Sequence, residues 1–550
     1  MLVALLWGCT GSPSPSPTAP DRTTTSSPST TEGVVASSTT STAAPTSETT
    51  TLRVGTLFPV DSLDPADALE PGDMELLQAV SDGLLRTEPG NGEIVPGIAE
   101  AHPEVSDDGL TYTFRLRGDV VFADGLELTA PIYVDSIERV MELGGRGSDL
   151  VSLFVSSIEA PDESTVVFHL RDRFAFFPTL LAGATYLPAH PDVYPADELT
   201  PLPEAPIYGV GPWFISSYSE SEVVLEPNLD YVGNEVEPGR IEIRVFESGD
   251  DMANALESGD IDLIWRGLDG STAESLSDVD DVNVATVPGG TIHFLTINHG
   301  LEPTDDPLVR RAIAELIDRQ TIAESVLGGA FVPAFSPVPP GYAGSSDAFL
   351  DLYGEPDVAA AIEHLTEAGY SETNPAELEV AYPPERFGLA IAAAMDEIQL
   401  QLESTGLIDV TLTAQPWNTY LGDVVEGEYT VAFLGWLHDF PDVHNYLAPF
   451  VLEGGLGGSG ENLQNPEISE MVIEAAGEFD QPRRAELYEE IQALFAEDVV
   501  TVPLWIEHPY VAYRGYVAGD DEYENLETLN IGASMQLDYR ALEVTPPESR

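Results

Sequence analysis

Between residues 51 and 517 the chain alternates short runs of period-2 hydrophobicity with longer runs of period 3.6, each bounded by Gly, Pro, Asn or Asp. The clearest strand signal lies early. Tyr112, Phe114 and Leu116 alternate with Thr111, Thr113 and Arg115, the pattern of a half-buried strand. A turn precedes it at Ser106-Asp107-Asp108-Gly109, where Asp can bind its own backbone and Gly tolerates positive φ. A second turn, Asp124-Gly125, leads to a helix in which Thr129 can cap, Pro131 suits the first turn, and Val134, Ile137 and Met141 share one face.

The same reading predicts strands over 52–56, 164–170, 241–246, 292–298, 378–382, 410–413, 429–434 and 510–516. It predicts helices over 74–83, 250–258 (stopped by Gly259), 357–368, 386–404 and 483–494. The helix after Asp306 is the best defined. Asp306 caps it, Pro307 fills its first position, and Val309, Ile313, Leu316 and Ile317 form its apolar face. Strands alternating with helices indicate α/β lobes. At 550 residues the chain exceeds the ~250–300 at which one core stops growing, so at least two lobes are expected.

Charge changes the picture of the surface rather than of the fold. The formal net charge is −74, from 95 acidic residues against 21 basic ones, all of them Arg. Such a surface repels nucleic acid and anionic headgroups and suits a saline milieu that screens its self-repulsion. The only cysteine is Cys9, which excludes an intrachain disulfide framework. It follows the apolar run Met1–Gly8, and Leu6-Trp7-Gly8-Cys9 resembles a lipobox, in which the Cys is acylated after signal cleavage. No basic residue precedes the run, so the true translation start is expected upstream. Residues 10–50 are almost entirely Ser, Thr, Pro, Ala and Gly, a composition that cannot bury enough apolar surface to order itself and reads as a tether. No later stretch offers the ~20 apolar residues of a membrane span.

The order of the early motifs is more specific than any one of them. Pro96-Gly97-Ile98-Ala99-Glu100, the run 106–117 (SDDGLTYTFRLR), Phe122-x-Asp124-Gly125, Leu128-Thr129-Ala130 and Ser136-Ile137-Glu138-Arg139 together resemble the solute-binding proteins of peptide- and nickel-type ABC importers. Leu63-Asp64-Pro65, Asp82-Gly83-Leu84-Leu85, Gly209-x-Gly211-Pro212-Trp213, Asn228-x-x-Tyr231, Gly259-x-Ile261-Asp262, Asp306-Pro307-x-Val309-Arg310-Arg311-Ala312 and Ile317-Asp318-Arg319 extend the resemblance over 52–517. It implies an α/β fold, the bilobed periplasmic-binding-protein-like clamp (type II, cluster C), with an extra αβ subdomain inserted in the first lobe. The expected division is signal remnant and lipobox 1–9, linker 10–50, first lobe 51–90, inserted subdomain 91–204, first lobe again 205–288, second lobe 289–505, and a return to the first lobe with a polar tail, 506–550. The implied protein is a monomeric extracellular receptor, held to the membrane only by its lipid. It captures a peptide or other small solute and meets ABC permease subunits, with no cofactor and no catalytic step.

The stretch 417–446 carries the expected site. Peptide-binding members have a G-W-x-x-D segment whose Asp pairs with the ligand's α-ammonium, and by position that Asp is Asp439. A buried ammonium needs such a carboxylate, or desolvation cancels its affinity. The resemblance adds the strand residues Phe433, Gly435, Trp436 and Leu437, and Trp417 as a pocket aromatic. It also exposes a departure. Between Thr419 and Ala432 there is no Arg to clamp a peptide carboxylate, and Phe433 occupies one expected Arg position, which keeps nickel complexes, oligosaccharides and other solutes open as ligands. His438, Asp439, Asp442 and His444 are metal-ligating types, but their spacing matches no ligand motif and Pro441 interrupts it, so no metal site is expected. The Gly-rich run 454–460 lacks the strand–loop–helix context of a phosphate loop. No H-E-x-x-H, G-x-S-x-G or P-loop is present, which disfavours a secreted hydrolase; a surface adhesin is the remaining alternative.

The charge reading is testable. Because the Debye length shrinks from about 10 Å at 0.1 M to about 3 Å at 1 M salt, the melting temperature should rise between those concentrations of NaCl. A flat or falling melting temperature in calorimetry would contradict it.

Overall fold

A computed structural model describes residues 50–88, 92–233, 239–384, 386, 390–452, 465–519 and 536–545. Cys9, nearly all of the 10–50 tether and the 454–460 run lie outside the described residues.

Two sheets form the two lobes. The first has seven strands in the order Val282–Thr286, Tyr510–Arg514, Leu263–Trp265, Thr51–Thr56, Arg240–Val245, Glu222–Pro227 and Trp213–Tyr218. Its opening strand runs parallel to Arg240–Val245, with Leu52 beside Ile241 and Val54 beside Ile243 in one buried cluster. The second has six strands in the order Phe331–Pro333, Thr501–Glu507, Ile292–Ile297, Val431–Trp436, Ala376–Tyr382 and Ile408–Ala414. The chain passes between the sheets twice, from Thr286 to Ile292 and from Glu507 to Tyr510, in the bilobed clamp that the motifs imply. These crossings lie side by side: Val287 N–H donates to the Pro509 carbonyl (3.0 Å) and Glu507 N–H to that of Thr291 (3.0 Å). The approach is so close that a Cβ at Gly289 would sit 1.8 Å from the Glu507 carbonyl oxygen.

In the second lobe the period-2 pattern separates two cores. Leu295, Ile297, Val431 and Phe433 face one layer of helices, Pro307–Leu316 and Ala390–Glu403 among them. Ile292, Phe294, Leu434 and Trp436 face the other, formed by Val443–Val451, Pro466–Ala476 and Gln481–Asp498. All six residues of Ile292–Ile297 are buried, as in sheets covered on both faces. The N-cap expected at Asp306 forms, its Oδ1 accepting the Leu308 N–H at 2.8 Å.

The inserted subdomain is a four-stranded sheet, Glu104–Val105, Thr111–Arg115, Thr165–Leu170 and Val155–Asp162, packed on the helix Ala130–Leu143. Tyr112, Phe114 and Leu116 are buried as their alternation predicts. Thr129 precedes the helix without a side-chain capping bond, and Gly144 ends it at φ 63°. Arg139 on this helix reaches back to Asp64 in two hydrogen bonds of 2.7 and 2.8 Å, both side chains almost wholly buried. Asp64 also accepts the N–H groups of Ala66 and Thr200. The Leu63-Asp64-Pro65 loop therefore ties the inserted subdomain to the first lobe.

The end of the chain differs from the polar tail read in the sequence. Tyr539, Ala541, Leu542 and Val544 are buried, Leu542–Val544 pairs with Val517–Gly519, and Arg540 forms an ion pair with Asp82 at 2.6 Å. The apolar alternation there is too short to read as a strand without the partner that covers it.

Removing one partner of a buried ion pair leaves an uncompensated charge, at a cost of about 3–5 kcal/mol. Arg139→Met should lower the unfolding free energy by that amount in urea denaturation. An unchanged midpoint would show that Asp64 does not depend on Arg139.

Candidate functional site

A crevice of about 60 Å³ runs between the lobes. The first-lobe helix Pro71–Val80 lines it with Pro71, Met74 and Gln78, which share one face by their spacing. The turn around Ala182–Thr185 forms the next wall, Leu437–Pro441 of the second lobe the opposite one, and Gln536 of the returning chain closes it.

Asp439 stands at the centre of the second-lobe wall. Its backbone N–H donates to Asn445 Oδ1 (2.9 Å), and Asn445 Nδ2 donates to Asp439 Oδ2 (3.1 Å). Trp436 Nε1 donates to the same Asn445 oxygen (3.3 Å). Among the described residues no ion pair forms with Asp439. Burial pushes its carboxyl up to about 6, against the lowering effect of the Asn445 hydrogen bond. The carboxyl lines the crevice with neutral hydrogen-bond donors around it, an environment in which a nearby cation would favour its charged form.

The neighbouring residues hold this wall in place. Asp442 caps the helix Val443–Val451 through the His444 N–H (2.8 Å) and binds Arg484 through both oxygens (2.6 and 2.9 Å). His438 Nδ1 lies 2.8 Å from Tyr446 Oη, and Tyr446 donates to the Gly290 carbonyl (2.9 Å) at the lobe crossing. Burial holds His438 down at about 3 and His444 at about 4, so both are neutral near pH 7. Each of these groups has a protein partner, and among the described residues no cluster of His, Cys, Asp and Glu could hold a metal ion.

The two lobes also meet directly beside Asp439. Phe440 stacks on Phe176 of the inserted subdomain (centroids 4.9 Å apart), and Phe176 stacks on His444 (4.8 Å). Ala175 N–H donates to the Ala476 carbonyl (2.7 Å), and the Arg173 guanidinium covers Phe479.

The remaining expected residues fall in two groups. Leu437 lines the crevice with Asp439. Phe433 is fully buried between His293 and Trp505, Trp436 packs against Phe450, and Gly435 lies in the strand opposite His293. Trp417 begins the helix Trp417–Val425, rests against Tyr420, and carries the Arg386 guanidinium 5.2 Å from its ring. Arg386 also reaches the first lobe electrostatically. Burial raises the Glu70 carboxyl, and the charges of Arg146 and Arg386 oppose that rise. The sequence reading missed Asn445, Gln78 and Gln536, which carry no local signal of contact.

The sequence matches the bacterial extracellular solute-binding proteins, family 5, over residues 93–458. It is 24% identical over 455 residues to the oligopeptide-binding protein OppA of Bacillus subtilis, covering 78% of this chain and 82% of that one. Among solved structures, the periplasmic binding protein DppA from Helicobacter pylori in complex with the peptide STSA superposes with a TM-score of 0.70 at 24% identity, over 90% of this chain and 98% of that one. NikA from Brucella suis in complex with Fe(III)-EDTA superposes at 0.77 and 22% identity, over 90% and 100%. With its two-sheet clamp, its crevice and a family match spanning most of the folded chain, this protein belongs to the bacterial extracellular solute-binding proteins of family 5.

Proposed function

We propose that this protein is the receptor of an ABC importer, that it captures peptides in the crevice between its lobes, and that Asp439 receives the peptide's ammonium end. The observation carrying this reading is the Asp439 carboxylate, desolvated against the crevice wall without a cationic partner among the described residues. A ligand ammonium supplies the missing charge. The likeness to peptide-binding relatives supports the same class of ligand.

The crevice is far smaller than the ~300–1,000 Å³ of ligand pockets. The lobes must therefore part at the two crossings to admit a peptide and close again around it. Contact between Phe440 and Phe176 accompanies closure, next to the residue that holds the ligand. No bond is made or broken in this cycle. At the other end of the chain, an acylated Cys9 and the tether 10–50 would keep the receptor at the outer face of the membrane.

Charge recognition at Asp439 sets both a mutational and a pH test. Asp439→Asn keeps the shape and removes the charge, which should cost about 2–5 kcal/mol, or roughly 30- to several-thousand-fold in affinity for a free peptide. N-acetylated peptide should bind wild type weakly and the variant no worse. Affinity for the free peptide should be greatest between about pH 6 and 8. Below about 6 Asp439 protonates, and above about 8 the α-ammonium loses its proton. The sign is opposite for ligand-free stability. A carboxyl raised above its unfolded value binds more protons when folded, so its contribution falls as pH rises from about 4 to about 6. Calorimetric titration of both peptides across this range decides the matter. An Asp439→Asn protein that binds free peptide as tightly as wild type would remove Asp439 from the site.

Anchoring is tested separately. Expressed behind a complete signal sequence, the protein should fractionate with membranes, and Cys9→Ser should release it into the medium. A variant that stays membrane-bound would overturn the lipid anchor.

A further inference from the structure

Gln536 lines the same crevice as Asp439 but arrives from the opposite side and from the far end of the chain. It is only 7% exposed, yet its Oε1 has no hydrogen-bond partner among the described residues. Buried acceptors are almost always satisfied, so a free one on a residue that lines a ligand crevice calls for a donor. Its position is also tightly fixed. The next residue, Leu537, donates its N–H to Glu75 Oε2 (3.2 Å), Tyr539 donates to Glu75 Oε1 (2.7 Å), and Arg540 binds Asp82 (2.6 Å). Glu75 belongs to, and Asp82 follows, the helix that presents Pro71, Met74 and Gln78 to the crevice. Gln536 is therefore held against the wall that faces Asp439.

Both side chains line the same crevice of about 60 Å³, so a group seated there has an acceptor available from each lobe. A primary ammonium carries three N–H donors. Asp439, with one oxygen engaged by Asn445, cannot satisfy all of them from one side. Resting on the reading that a peptide ammonium binds at Asp439, we propose that Gln536 is a specificity-determining residue whose Oε1 accepts a hydrogen bond from that ammonium. The cation is then read by a charged acceptor from the second lobe and a neutral one from the first, and only closure of the lobes brings the two together. The C-terminal segment thereby becomes part of the binding site.

The test uses full-length wild type, Gln536→Met, Gln536→Glu and Asp439→Asn, titrated calorimetrically at about pH 7, between the Asp439 carboxyl at about 6 and the α-ammonium at about 8, with unblocked di- to penta-alanine. Gln536→Met keeps the length of the side chain and removes the acceptor. It should weaken binding roughly 10- to 100-fold, the usual effect of losing a hydrogen bond to a charged group. Gln536→Glu restores an acceptor oxygen and should bind no more weakly than wild type. Circular dichroism of the ligand-free proteins checks that each variant folds. Should Gln536→Met bind like wild type while Asp439→Asn loses affinity, the Gln536 contact is wrong and the reading of Asp439 survives. Equal losses in Gln536→Met and Gln536→Glu would mean that Gln536 only shapes the wall, which also overturns the proposal. If no alanine peptide binds wild type, or if Asp439→Asn binds like wild type, the peptide reading fails and takes this inference with it.

Discussion

The two segments that pass between the lobes are the constraint on which this molecule depends. They run so close together that the backbone of one touches the backbone of the other at Gly289, where any side chain would strike the Glu507 carbonyl. The hydrogen bonds from Val287 to Pro509 and from Glu507 to Thr291 make the pair a single ribbon. Lobes joined in this way can rotate but cannot slide independently, because each crossing limits the other. The site is built next to this ribbon. Gly290 accepts from Tyr446, and Tyr446 contacts His438, the residue before Asp439. The crevice wall that carries Asp439 is thus hydrogen-bonded to the backbone that joins the lobes.

Arginine is used inside the protein as well as on its surface. Arg139 and Arg484 are buried in two-pronged pairs with Asp64 and Asp442, geometry that a guanidinium matches and an ammonium does not. Arg310 and Arg319 are buried too, and donate to backbone carbonyls, those of Thr304, Asp305 and Asp498 for one and of Pro503 and Ile317 for the other. Burial lowers Arg319 to about 10, still far above neutral pH, so the charge persists in the core. With several of its 21 cations enclosed, the chain presents a surface still more acidic than its composition suggests.

Asp439 shows the opposite arrangement, an anion without a cationic partner among the described residues. Desolvation raises its carboxyl to about 6, so holding it ionised at pH 7 destabilises the empty protein. A cationic ligand removes that penalty, which couples capture to stability by mass action. The arrangement has a mechanical neighbour as well. Phe440 follows Asp439 directly and inserts into the aromatic cluster of the inserted subdomain, so the proposed ligand contact and the lobe contact fall on adjacent residues.

Much of this was legible in the sequence because it is local. Turn residues, caps and alternating hydrophobics fix elements over a few positions, and so Asp306, Gly259 and the strand around Tyr112 stand where the pattern put them. Ordered motifs identified the bilobed clamp and pointed to Asp439, since a carboxylate at that position sits in a recognisable local segment. The strand around Phe433 marks the boundary of such reading. A sheet covered on both faces buries every residue, so alternation alone could not say that Phe433 turns toward His293 and Trp505 while Trp436 turns the other way to hold Asn445. Contacts between distant segments left no trace in local pattern. Asp64 meets Arg139 across 75 residues, and Glu75 meets Tyr539 across 464. Gln536 reaches the crevice only because that second contact folds the end of the chain back onto the first lobe. Local sequence determined the elements and the charged residue at the site; tertiary packing alone decided which residues from the rest of the chain surround it.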